Sequence, residues 1–228
     1  MRTMKKKRVA VLFGGCSAEY EVSLRSAYSI ITSMDPGKYE TVLIGITRDG
    51  RWYRYYGDVD NIPGDTWQVE RKYLVPVAVS PNREEQKIIE IKGGVLKESS
   101  IDIAFPVLHG KNGEDGTVQG LFELAGIPLV GCGTLASALC MDKDRAHKLV
   151  AAAGVKVPPS VVFDHLPGER EIMEKTGHLS CPLFVKPVRS GSSIGITKVK
   201  EKKWATPGRG NSLWVRQPGY SRREHTRL

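Results

Sequence analysis

The densest polar chemistry in this chain lies between His109 and Gly120, where His-Gly-Lys-Asn-Gly-Glu-Asp-Gly-Thr-Val-Gln-Gly sets four glycines around a histidine, two acids and a lysine. Glycine lets a backbone take positive φ and approach a ligand closely, and open α/β sheets bind ligands beyond the carboxyl ends of their strands. The run reads as a binding loop; the plainer reading is a glycine-rich turn whose charges face water. A second candidate is Gly14-Gly-Cys-Ser-Ala-Glu-Tyr-Glu-Val-Ser23. Glu21 falls where any helix start favours an acid. Glu19 belongs to the turn itself, where a carboxylate faces either a bound ammonium group or solvent.

A third candidate is Lys186-Pro-Val-Arg-Ser-Gly-Ser-Ser-Ile-Gly195, a lysine at a strand end followed by a Gly/Ser loop. Backbone N–H groups and hydroxyls of such a loop can cradle phosphate oxygens while a lysine supplies positive charge. Gly-Lys-Ser/Thr and its following helix are absent, so this is not a P-loop, and a hairpin turn would use the same residues. Lys143, at the start of a helix after Met141-Asp142, is either a second phosphate ligand or a solvated side chain. Gly131-Cys-Gly-Thr-Leu-Ala136 matches the loose dinucleotide fingerprint, which would make the chain a dinucleotide or nucleotide-sugar binder. The acid that this pattern wants about 20 residues later is missing from Ala151–Lys156, so a domain-crossing turn is expected. His147, His165 and His178 show no metal-ligand spacing, and surface or core roles are expected for them.

The elements that must position these residues follow from periodicity. Val9–Phe13 reads as a buried strand, and Glu21–Met34 as a helix with Leu24, Ala27, Ile30, Ile31 and Met34 on one face. Thr41–Thr47 is a second strand, which Arg48-Asp49-Gly50 turns into the aromatic run Trp52–Tyr56. Gly57–Glu70 has no clear period. Tyr73–Ser80 and Lys87–Ile91 form an expected strand pair, and Ile101–Leu108 a buried strand that delivers the His109 loop to a helix over Thr117–Ala125. Beyond it come a short strand at Ile127–Val130 and helices at Thr134–Leu139 and Asp142–Ala153. An edge strand or linker follows over Val155–Phe163, then a helix near Glu169–Thr176 and strands at Pro182–Lys186 and Ile196–Val199.

Composition narrows the class. With 40% hydrophobic and 26% charged residues over 228, the chain can bury a core in one or two domains. No apolar stretch approaches the roughly 20 residues of a membrane span, and Met1–Arg8 leads straight into a strand, so a cytoplasmic placement without membrane partner is expected. The net charge of +9 sits at the ends: Arg2–Arg8 carries +5 and residues 200–228 carry +6, leaving −2 over Val9–Val199. A nucleic-acid module would show its charge on the fold itself, so none is expected as partner. Cys16, Cys132, Cys140 and Cys181 lack C-x-x-C spacing and are expected to be reduced, mostly buried thiols. Residues 200–228 show no period and few core-forming residues, so poor order is expected after about Lys203.

Taken in order, Gly14–Ser23, His109–Gly120 and Lys186–Gly195 resemble the D-alanine:D-alanine ligase family, ATP-grasp enzymes of peptidoglycan synthesis, across roughly Lys6–Val199. His109–Gly120 matches the family's N-terminal signature position for position. Cys140-Met-Asp-Lys-Asp-Arg-Ala-His-Lys148 is similar to the start of its ATP-grasp region, and the D-alanine:D-serine ligases of vancomycin resistance look most alike. The resemblance implies an α/β fold with an N-terminal parallel-sheet, Rossmann-like domain that binds D-alanine over 1–131. The beginning of an ATP-grasp α+β domain over 132–200 and an irregular, disordered tail over 201–228 would follow. It implies that Glu19 binds the ammonium of a first D-alanine and that Ser192 hydrogen-bonds in the substrate site and helps order the loop closing over it. His109 and Glu114 would line the pocket, and Lys143, Lys186 and Ser193 would hold ATP phosphates. In the family's reaction the D-alanine carboxylate attacks the γ-phosphate of ATP, and the amine of a second D-amino acid attacks the resulting acyl phosphate, with Mg2+ neutralising charge. A homodimer through the N-terminal domain is also implied.

The pattern departs from the family near Lys202. Members continue for about another hundred residues, a domain's worth, with acidic metal ligands, an oxyanion-stabilising arginine and the lid that selects the second substrate. Residues 200–228 hold no Asp and only Glu201 and Glu224. The Mg2+ ligands are therefore expected outside this chain, a frameshift and a natural truncation both giving such a tail. The expectation for this polypeptide is an inactive fragment that at most binds D-alanine or nucleotide weakly. D-alanine, D-serine and D-lactate all stay open as second substrate.

Overall fold

Strand β1 (Lys7–Gly14) is apolar on both faces because both are covered. Its alternate residues divide between two cores: Ala10 and Leu12 join one cluster, Val9, Val11 and Phe13 the other. The computed structural model describes residues 5–200 and 213–216. They form two compact units, one ending at Ala138 and the other beginning at Leu139.

In the first unit, β1 pairs in parallel with β2 (Tyr39–Ile46). Helix α1 (Tyr20–Ser33), which connects them, buries Leu24, Ala27 and Ile31 beneath the sheet. Strands β3 (Trp52–Tyr55), β4 (Leu74–Val79), β5 (Lys87–Lys92) and β6 (Val95–Ser100) then run back and forth, and β7 (Ile103–Pro106) returns to pair in parallel with β1. The order is β6-β5-β4-β3-β2-β1-β7, so the expected parallel sheet is confined to β2-β1-β7 and the rest is antiparallel. The reason is local: Arg48–Arg51 and Gly93–Gly94 are tight turns, and short turns can join only antiparallel neighbours. Strand β6 escaped the pattern because its Lys97-Glu-Ser-Ser100 half is polar and mostly exposed.

The aperiodic 57–70 segment folds back as short 3-10 turns that bury Ile62 and Trp67. Gly45 makes room for it, since a Cβ there would stand 2.4 Å from the Trp67 ring. Helix α2 (Thr117–Leu124) covers the opposite sheet face with Val118 and Phe122. The expected strand at Ile127–Val130 is reduced to one bridge, Ala104 with Leu129. Pro128 lacks an N–H for a longer ladder, although its carbonyl accepts from Ala104 at 2.8 Å.

The second unit begins within α3 (Thr134–Met141), at Leu139, and continues with α4 (Lys143–Ala152) and β8 (Ser160–Phe163). Helix α5 (Glu169–Thr176), β9 (Leu183–Pro187) and β10 (Thr197–Val199) follow. The tail was expected to be irregular throughout, but Leu213–Arg216 forms β11, which inserts between β8 and β9 in the order β10-β9-β11-β8. Val215 buries itself with Phe163, Val185 and Val199, because an unpaired edge beside β9 gives even a short apolar run a ladder to join. The rest of 201–228, and the expected loss of order after Lys203, lie outside the described residues. The cysteines also differ from expectation: Cys16, Cys132 and Cys140 are exposed and Cys181 is half-buried, because each sits in a turn or on an outward helix face.

Candidate functional site

In the first unit the carboxyl ends of β1, β2 and β7 converge. Gly14 leaves β1 at φ +88°, and a Cβ there would lie 2.1 Å from the Ile46 carbonyl oxygen at the end of β2. Ser23, a polar residue within the buried stripe of α1, accepts the Gly14 N–H at 2.9 Å and donates to the Val107 carbonyl. It thereby fastens the helix start to two strand ends.

Glu19 occupies the residue before α1, yet its carboxylate does not cap the helix. Its N–H donates to Ser17 Oγ at 3.1 Å, its carbonyl accepts from Ser23, and only 8% of the residue is exposed. Gly110 lies against it: a Cβ at Gly110 would stand 2.9 Å from Glu19 Oε2, and the residue's φ of +70° already favours glycine. The sequence placed Glu19 and the His109 loop at separate strand ends; the fold brings those ends side by side.

The loop is closed by its own acids. Glu114 is exposed and turns its carboxylate back to accept the Gly110 N–H at 2.7 Å. Asp115 accepts from Asn112 and Thr117, at 2.9 and 3.1 Å; burial pushes its carboxyl up, but these backbone bonds and the Thr117 side chain outweigh it and hold it below the usual range. His109 is half-buried with Nε2 3.4 Å from Ser26 Oγ. Cys16, Trp52, Leu108, His109 and Lys111 line a pocket of about 170 Å³. That is well below the roughly 300 Å³ at which drug-sized ligand pockets begin, and suits a small ligand.

The dinucleotide-like turn has a different occupant. Glu123 of α2 accepts the Thr134 N–H at 3.0 Å at the start of α3. A pyrophosphate would need that helix end, and a carboxylate stands there instead.

In the second unit Lys186 lies on β9, and the segment to β10 forms the connection of an antiparallel hairpin. Ser192 and Ser193 adopt left-handed backbone conformations, φ +46° and +61°, which glycine usually supplies. Lys143 is packed rather than solvated. Its Nζ donates to the Val188 carbonyl at 3.4 Å and to the Ser190 carbonyl, and its N–H reaches Val188 at 3.1 Å. Burial, and then the nearby Lys186 ammonium, hold the Lys143 pKa below the ordinary lysine value. Two crowded, partly desolvated cations beside serine-rich backbone suit an anion. Asp142 secures this corner: it caps α4 through the Arg145 N–H at 3.1 Å and pairs with Arg189 Nε at 2.9 Å.

Among the described residues no three His, Cys, Asp or Glu converge as metal ligands. His165 pairs instead with Asp164 and Glu171. No described helix is long and apolar enough to cross a membrane. Sequence reasoning missed Ser17, Ser23 and Gln119, whose roles are hydrogen bonds to backbone; a polar residue inside a buried helical stripe is the one signal that Ser23 and Gln119 gave.

Residues 8–132 match the family model for the D-ala D-ala ligase N-terminus, and residues 149–205 that for the D-ala D-ala ligase C-terminus. A D-alanine–D-alanine ligase of Thermoanaerobacter sp. strain X514 is 46% identical over 202 residues, covering 88% of this chain and 55% of that protein. The vancomycin B-type resistance protein VanB of Enterococcus faecalis is 42% identical over 196 residues, 86% of this chain and 54% of its own length. The crystal structure of the VanG D-Ala:D-Ser ligase from Enterococcus faecalis superimposes with a TM-score of 0.84 at 49% identity, over 94% of this chain and 63% of that one. The chain thus spans about half the length of the curated relatives it matches.

Proposed function

The chain belongs to the D-alanine–D-alanine ligase family, and from that premise we propose that it acts as an ATP-dependent ligase joining D-alanine to a second D-amino acid, D-alanine or D-serine, for cell-wall precursor synthesis in the cytoplasm. The observation that carries this reading is the Glu19 carboxylate, buried at a strand end against Gly110, where it offers a counter-charge to a small ammonium. His109 and Glu114 shape the loop beside it. Lys143, Lys186 and the Ser192–Ser193 backbone receive ATP phosphates, and the Ser192 hydroxyl serves the D-alanine side of the reaction.

A carboxylate oxygen of the first D-alanine attacks the γ-phosphorus, the bond to ADP breaks, and an acyl phosphate forms. The amine of the second D-amino acid then attacks the acyl carbon and inorganic phosphate leaves. Charge builds on the transferring phosphoryl oxygens, and the two lysines stand ready to stabilise it. Mg2+, where bound, would add to that stabilisation.

A second reading keeps the binding without the chemistry: this polypeptide binds D-alanine or nucleotide weakly without turnover. One assay decides between them. Purified chain with ATP, Mg2+ and D-alanine should release phosphate above a Lys186→Ala control; release equal to the control sinks the ligase reading for this chain and leaves binding alone.

A further inference from the structure

Gln119 is only 6% exposed, and its amide is half-satisfied: Nε2 donates to the Gly113 carbonyl at 2.8 Å, while the buried Oε1 has no hydrogen-bond partner among the described residues. A buried polar group in that state stabilises a fold less than an apolar residue of similar shape would. Stability alone therefore does not explain an amide on the covered face of α2, between Val118 and Phe122.

What the amide does hold is the centre of the His109–Gly116 loop. Gly113 is buried with no room to shift, since a Cβ there would stand 2.6 Å from the Leu108 Cβ and 2.8 Å from its carbonyl carbon. The next residue, Glu114, accepts the Gly110 N–H at 2.7 Å, and Gly110 packs on the Glu19 carboxylate. Fixing the Gly113 carbonyl thus fixes the Glu114 backbone, through it the Gly110 position, and so the wall that Glu19 faces.

We infer that Gln119 is a positioning residue that holds this loop against Glu19. It touches no substrate. Its consequence for D-alanine rests on the reading of Glu19 as the ammonium ligand, and the test separates the two.

The experiment uses the full chain as wild type, Gln119→Leu and Gln119→Glu, with deuterium exchange of the Gly110 amide and D-alanine titration followed by NMR. Leu removes both the bond and the orphaned oxygen, so the thermal midpoint should hold or rise while Gly110 exchanges faster and D-alanine affinity falls about tenfold. A Glu at this position can donate to the Gly113 carbonyl only when protonated. Relative to wild type at each pH, its Gly110 protection and D-alanine affinity should match at low pH and be lost as pH rises through the carboxyl's burial-raised pKa. That reversible change within one folded protein is something a purely space-filling role would not produce.

Gly110 protection as in wild type for Leu, or a Glu-to-wild-type ratio flat with pH, overturns the inference. A faster-exchanging loop with unchanged D-alanine affinity supports the positioning role and overturns Glu19 as the ammonium ligand. If wild type binds no D-alanine while the exchange results come out as expected, the positioning role is supported and the ligase reading fails instead.

Discussion

The two candidate ligand regions are built by opposite means. Around Glu19 the geometry is set by missing side chains: Gly14, Gly110 and Gly113 each sit where a Cβ would press within 3 Å of a neighbour, and serine and acid side chains satisfy the strand ends. Around Lys186 it is set by charge. Lys143 leans on two carbonyls beside a second cation, and two of the left-handed residues, Ser192 and Ser193, carry side chains. A wall made by exclusion is rigid before any ligand arrives. A wall made of crowded cations is completed by the anion that enters it.

The sharpest way to break this contrast is Gly14→Ala. An alanine at φ +88° incurs backbone strain of about 1 kcal/mol, and its methyl would overlap the Ile46 carbonyl, which belongs to a sheet and cannot retreat. The expected loss is about 4 kcal/mol or more, among the largest a single substitution produces. Urea unfolding followed by the fluorescence of buried Trp67 measures it. A loss below about 1 kcal/mol would show that the β1–β2 strand end can yield, and the distinction between the regions would collapse.

How much of this was legible beforehand depended on the physics of each part. Helix α5 was read over Glu169–Thr176 from its pattern, because an amphipathic period and its flanking breakers are local. The meeting of Glu19 with the His109 loop was half legible. Both motifs were seen at strand ends, but their adjacency needed the parallel β1–β7 pairing, which links residues more than ninety positions apart. Strand β6 and β11 were not legible, since ladder partners rather than side-chain alternation make them strands. Lys143 stood open in the sequence between a phosphate ligand and a solvated lysine; only the fold of the 186–190 chain segment shows that its ammonium is desolvated. Gln119 sat inside the glycine-rich motif, and its place between Val118 and Phe122 on α2 was the one sign that its amide is buried.

A smaller effect should come from Lys143→Met, which keeps the stem and removes the charge. Because burial and Lys186 both disfavour the Lys143 cation, thermal stability should be unchanged or slightly higher. ATP affinity should fall by the worth of a charge-assisted bond, about 1.5–3 kcal/mol or roughly 10- to 100-fold. Wild-type affinity should also decline as pH rises through the depressed Lys143 pKa, where the ammonium is lost, and the variant should lack that limb. Calorimetric titration between neutral and alkaline pH reads both. Equal slopes in the two proteins would remove Lys143 from the phosphate site and leave the second region without its distinguishing chemistry.

The smallest effect tests what holds that cationic corner together. Burial raises the Asp142 carboxyl, but the Arg145 N–H and the Arg189 guanidinium outweigh it and leave the pKa below the ordinary aspartate value. A carboxylate depressed on folding adds stability that is present above its unfolded pKa and lost as pH falls through the folded one. Asp142→Asn keeps an acceptor for the start of α4, since asparagine caps helices as well as aspartate does, and removes only the charge. With Arg189 73% exposed, the pair is screened, and the loss at neutral pH should be about 0.5 kcal/mol. As pH falls through the folded carboxyl's depressed pKa the wild-type charge is lost, so the two unfolding curves should draw together there. If the gap stays constant across acidification, the corner is held by its cap and packing rather than by charge.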